Sequence, residues 1–182
     1  MNIITEKLPE SVELNGKTYP INTDFKVWMT IEKLLGQRSE QSLIKALCLC
    51  FKKLPENPEN ALSAMIDFLS GGEKAKKSKG NSEKLYDFSQ DSGRILSSFL
   101  QAYHIDLKNT SMHWFVFLNL LFNLPYDSPF SKAVYVRSID LSLIKDKEQR
   151  KYYKRMKASV KLDLPSADSM IQEDLGGAFC DD

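Results

Sequence analysis

Apolar positions along this chain follow two different periods, and the change comes near residue 24. From Ser11 to Thr23 apolar and polar residues alternate, with Val12 and Leu14 before Asn15-Gly16 and Tyr19 and Ile21 after it. Alternation is the mark of a strand with one wetted face, and Asn-Gly supplies the two positive φ angles of a type I′ turn. The segment therefore predicts a β-hairpin, with Pro20 placing the second strand at an edge because it has no amide to donate. A lone hairpin is marginal in water, and the helix expected to cover it is Phe25–Leu35. There Phe25, Trp28, Met29, Ile31, Leu34 and Leu35 form a broad apolar face, with Asn22 or Thr23 as cap and Gly36 as stop.

Helical spacing then continues. Ser39 opens a second helix through Leu43, Ile44, Leu47 and Phe51, and Pro58 begins a third with Leu62, Met65, Ile66 and Leu69 as its stripe. Gly71-Gly72 ends it. Beyond a polar interruption, Ile95, Leu96, Phe99, Leu100 and Tyr103 mark a helix from about Gln90 to His104. Met112–Leu124, MHWFVFLNLLFNL, is apolar almost all round, with Thr110 or Ser111 as cap and Pro125 as stop. Such a helix is either central core or keeps one face for a partner, and core is the first reading. It is too short for a bilayer, which takes about 20 residues, and no membrane partner is expected. The brief link before it predicts antiparallel packing on the 90–104 helix. Pro129 starts another helix with Ala133, Val134, Val136 and Arg137, and a charged helix runs from Lys145 to Lys161.

The expected fold class is mostly α, a helical domain with a small N-terminal β-hairpin. One domain over 1–161 is expected, with the hairpin and first helices in 8–70 and a helical bundle in 85–161. Between them Glu73–Lys84, EKAKKSKGNSEK, has no apolar side chain larger than alanine, so 71–84 is expected to be a flexible linker. Residues 162–182 lack periodicity and are expected to form a flexible acidic tail. The 182 residues are 42% hydrophobic and 27% charged, enough for a sizeable core in a water-soluble chain. An odd number of cysteines, three, and no secretory segment at MNIITEKLPE point to free thiols in a reducing cytoplasm.

Catalytic chemistry finds little support. His104 and His113 are the two histidines, and neither has a Ser or Cys partner in a known local motif. His104 with Asp106 lacks a third metal ligand at a sensible spacing. Cys48 and Cys50 lie two apart on a predicted helix and point away from each other. The glycine pairs lack the phosphate-loop fingerprint. The expectation is a non-enzyme without cofactor or metal.

Charge is segregated although the formal total is +1. Lys145–Lys161 carries eight basic and two acidic residues, interrupted by Tyr152, Tyr153 and Met156, whereas Asp163–Asp182 carries six acidic residues and no basic one. A basic helix with aromatic residues could bind nucleic acid through phosphates, be a solvated face, or be covered by the acidic tail. The tail would compete with a phosphate backbone, which argues against nucleic acid.

Three blocks carry a family resemblance: FLQAYHIDL at Phe99–Leu107, MHWFVFLNLLFNLP at Met112–Pro125 and FSKAVYVRSID at Phe130–Asp140. With the hairpin and TDFKVW at Thr23–Trp28, this succession resembles the tail assembly chaperones of siphophage and prophage tail operons, over about residues 8 to 160. Two positions depart from the pattern: His104 stands where glycine is usual, and Phe115 where a second tryptophan is. The resemblance implies a non-enzymatic protein of the host cytoplasm, absent from the mature virion. It would hold the tape measure protein soluble and help recruit tail-tube subunits around it, with self-association as a further expectation. Partner-facing residues are then expected at Trp114, Phe117 and Phe122, and on the basic helix at Arg150, Tyr153 and Lys154. The alternatives are a nucleic-acid-binding or regulatory phage protein using helix 145–161, and a structural tail or connector subunit.

Overall fold

The computed structural model describes residues 3–71 and 84–163. In chain order the elements are β1 (Ser11–Leu14), β2 (Lys17–Pro20), α1 (Phe25–Gly36), α2 (Glu40–Cys50), α3 (Pro58–Leu69), α4 (Ser92–Tyr103), α5 (Trp114–Phe122), α6 (Pro129–Ser138) and α7 (Lys147–Ser159), with a 3₁₀ turn at Leu141–Leu143. This is the mainly helical class with a small hairpin that the periodicity predicts. The expected linker and tail lie outside the described residues, apart from Gly71, Lys84, Leu162 and Asp163. Leu162, placed by the sequence at the start of the tail, is buried.

The described residues gather into two compact units, one from 3–71 with 111–120 and one from 84–110 with 121–163. In the first, β1 and β2 pair antiparallel from Ser11 opposite Pro20 to Leu14 opposite Lys17. Asn15 and Gly16 take φ of 52° and 75°, the turn that Asn-Gly predicts. The helix packed on β1 is α3 rather than the expected α1, which packs chiefly on α2. The α1 cap also differs: Asp24, not Asn22 or Thr23, accepts the Lys26 amide. The Asn22 side-chain oxygen is engaged before the helix, accepting the Asp24 amide at 3.1 Å, and the backbones of Asn22 and Thr23 bond to Cys50 and Trp114. The predicted stripe of α3 is rotated. Ala61, Met65 and Phe68 are its buried residues, so Leu62, Ile66 and Leu69 form a flank beside the core face.

In the second unit α4 packs chiefly on α6, and α6 on α7. The helix predicted for α4 to pair with was α5. What α6 adds is a buried cation. Arg137 lies on the face that Phe130 and Ala133 bury, and its guanidinium takes both oxygens of Asp91 at 2.7 and 2.8 Å. It also donates to the carbonyls of Leu85 and Val160. Asp91 is fully buried at the start of α4, and it does not cap that helix because its oxygens are committed to Arg137, Arg94 and the Asp87 amide. Burial pushes its carboxyl up, and the hydrogen bonds from Arg137, Asp87 and Arg94 outweigh that and hold it below the usual carboxylate range.

At the end of α4, His104 adopts the left-handed conformation, φ 56° and ψ 29°, and its amide closes the helix onto the Leu100 carbonyl. That conformation costs an L-residue about 1–2 kcal/mol and glycine almost nothing. His104 is exposed, so its side chain does not offset the strain by burial. His104→Gly is expected to stabilise the protein by about 0.5–1 kcal/mol, after allowing for the extra freedom of glycine in the unfolded chain. A urea midpoint that fails to rise would contradict this.

Candidate functional site

The first unit is held by a continuous series of rings. Phe25 stacks on Phe117 at 4.8 Å, Phe117 on Trp114 at 5.6 Å, and Trp114 on Trp28 at 6.3 Å. Trp28 then meets Phe68 at 4.6 Å, Phe68 meets Phe115 at 4.6 Å, and Phe115 meets the edge of His113 at 5.2 Å. Each such contact adds about 0.5–1.5 kcal/mol beyond the area it buries. Both indole N–H groups are satisfied inside, Trp28 by the Asn22 carbonyl at 2.6 Å and Trp114 by the Leu69 carbonyl at 3.0 Å.

The backbone around the His-Trp pair is stitched to the entry of α1. Phe25 N–H donates to the Met112 carbonyl at 3.1 Å, and Trp114 N–H donates to the Thr23 carbonyl at 2.7 Å. Ser111, expected to cap α5, donates its hydroxyl to Asp24 instead. The cap is His113. Its Nδ1 accepts the Phe115 amide at 3.1 Å, so the ring proton lies on Nε2, which donates to the Pro9 carbonyl at 2.9 Å. This imidazole is fully occupied in organising the start of α5 and is not free to act as a base.

The residues expected to face a partner differ widely in exposure. Trp114 and Phe117 are 1% and 0% exposed, inside the ring series, and are not available to a partner in this structure. Phe122 is 56% exposed and touches Tyr86 edge-on in the second unit. On α7, Arg150 and Lys154 are exposed and Tyr153 is half-buried, with its ring edge-on to Tyr152. Arg150 is turned back onto the Ile144 carbonyl at 2.9 Å.

What sequence reasoning missed is the apolar surface of the first unit. Ile44 on α2 is 50% exposed and Ile66 on α3 is 44% exposed, both of them residues assigned to buried stripes. Leu49 and Leu54 are also exposed. On α3 the half-buried Leu62 and Leu69 extend Ile66 at i−4 and i+3, so this flank is apolar over two turns. The available signal was the width of the pattern: five large apolar residues in twelve positions exceed what one packed face of α3 absorbs.

Chemical machinery is sparse among the described residues. No group of three or more His, Cys, Asp or Glu is placed to hold a metal ion. Burial pushes the Cys50 thiol up to about 12, so it stays protonated and unreactive. No described helix is long and apolar enough to cross a membrane.

The sequence profile of a family described as bacteriophage Gp15 protein matches residues 4–162, which takes in both units and every element above. No curated protein and no solved structure matches this chain. The blocks that suggested a phage protein, Thr23–Trp28, Phe99–Leu107, Met112–Pro125 and Phe130–Asp140, all lie within the matched span and supply the Arg137 anchor and every ring of the series except Phe68. The chain belongs to the bacteriophage Gp15 protein family.

Proposed function

We propose that this phage protein is a non-enzymatic tail assembly chaperone that binds the tape measure protein in the host cytoplasm and helps recruit tail-tube subunits. The observation that carries the reading is the apolar flank of α3, where Ile66 is exposed between the half-buried Leu62 and Leu69, with Ile44, Leu49 and Leu54 exposed in the same unit. A tape measure protein is long and helical, and an amphipathic helix is recognised through apolar anchors spaced i, i+3, i+4 and i+7. Aliphatic side chains on preformed helices offer such a surface without a disordered segment to be ordered first. The family's aromatic signature has a different part: it makes the rigid body that presents this flank.

Co-expression with the tape measure protein of the same phage tests the reading. The expected result is a soluble complex that Ile66→Asp and Ile44→Asp weaken at least tenfold. Both sites are exposed, so each melting midpoint should stay near the parent value, within about 0.5 kcal/mol of stability. A tape measure protein that remains insoluble and uncaptured would overturn it.

A second reading is favoured by the exposed cations of α7 and predicts nucleic-acid binding. Non-specific affinities at physiological salt are about 10⁻⁴ to 10⁻⁶ M. Tighter binding by the intact chain at about 150 mM salt, abolished by neutralising Arg150, Lys154 and Arg155, would replace the chaperone reading.

A further inference from the structure

The outer face of α7 carries a row of cations. Lys147, Lys151 and Arg155 are spaced at i, i+4 and i+8, and Lys154 at i+7, so the four share one side of the helix. All four are exposed. The opposite side is occupied by the half-buried Tyr153, Met156 and Val160. Two neighbouring bases are committed to the backbone, Arg150 to the Ile144 carbonyl and Lys157 to the Ile139 carbonyl. Among the described residues no carboxylate forms an ion pair with the four, Glu148 of the same helix included. Four like charges within about 12 Å, eight residues at 1.5 Å each, repel one another and favour an anionic cover.

The matching charge is in the chain itself. Beyond Asp163 the sequence holds Asp168, Glu173, Asp174, Asp181 and Asp182 and no basic residue. Its point of departure is fixed at the C-terminal end of α7. Leu162 is buried, and the Gln90 side chain accepts from the Asp163 amide at 2.8 Å and donates to its carbonyl at 2.9 Å. An extended chain covers about 3.3–3.6 Å per residue, so Asp168 reaches about 17 Å from that anchor and Glu173 about 35 Å. The length of α7 is about 20 Å, so Asp168 comes within range of the C-terminal part of the row and Glu173 within range of all of it. A short tether also holds them at an effective concentration in the millimolar range.

We propose that the acidic segment 164–182 docks on the Lys147–Arg155 face of α7 in its own chain and screens that face from polyanions. The inference does not depend on the chaperone reading. The test compares backbone amide and side-chain NMR shifts of the full chain with those of a full-length variant carrying Asp168→Asn, Glu173→Gln, Asp174→Asn, Asp181→Asn and Asp182→Asn. Differences are expected at Lys147, Lys151, Lys154 and Arg155. They should persist on tenfold dilution and vanish near 1 M salt, where the screening length is about 3 Å. Differences confined to 164–182 would overturn the proposal. So would differences that dilute away, which would place the segment on a second copy.

Discussion

Trp114→Ala should cost about 3–5 kcal/mol of stability, the range for removing a fully buried large aromatic side chain. For a chain of this size that is a fall in Tm of about 6–20 °C. The ring is 1% exposed and stacks on both Trp28 and Phe117, so truncation opens a cavity in the middle of the series. It also leaves the Leu69 carbonyl without the indole N–H that it accepts at 3.0 Å. Trp114→Phe separates the two contributions, because it keeps most of the packing and loses the donor. An unchanged melting midpoint for Trp114→Ala would show that the ring series is not the core of the first unit.

The second large effect is expected at the Asp91–Arg137 pair. Removing one partner of a buried ion pair strands the other charge, at a cost of about 3–5 kcal/mol. Arg137→Met and Asp91→Asn should each fall in or near that range. The double change should recover only part of the loss, because Arg137 also satisfies the carbonyls of Leu85 and Val160. The pair carries a pH signature. Burial raises the Asp91 carboxyl and its hydrogen bonds to Arg137, Asp87 and Arg94 lower it further, so its net pKa lies below the ordinary carboxylate value. A carboxyl depressed in the folded state contributes stability that is complete above its unfolded pKa of about 3.9 and lost as pH falls through the folded value. Stability of the parent should therefore decline below about pH 4. Asp91→Asn should flatten that decline while lowering stability at neutral pH. A parallel pH profile for the two proteins would contradict the assignment.

Local chemistry was readable wherever one residue type answers one geometric demand. Asn15-Gly16 specified the hairpin turn, Ser39 and Pro58 marked helix starts, and Pro129 occupies the first turn of α6 as its sequence position implied. At His104, where the resemblance led one to expect glycine, the structure has a positive φ. The partner surface was not readable in the same way. Trp114 and Phe117 drew attention as large aromatic residues in a helix apolar almost all round, yet that description suits a core and a binding anchor equally. Only the positions of Phe25, Trp28 and Phe68, distant in sequence, show that these rings have one another for company.

Periodicity along the chain determined the secondary structure, because each element repeats its own pattern over a few residues and needs no information from elsewhere. Pairing between distant segments was decided by the tertiary structure alone. Which face of α3 meets the core, which helix covers the hairpin, and which carboxylate answers Arg137 from 46 residues away all depend on partners that no local period encodes. The same reason separates aliphatic residues left at the surface, Ile44 and Ile66 among them, from the aromatic ones withdrawn from it. A side chain is exposed or buried according to what the rest of the chain places against it.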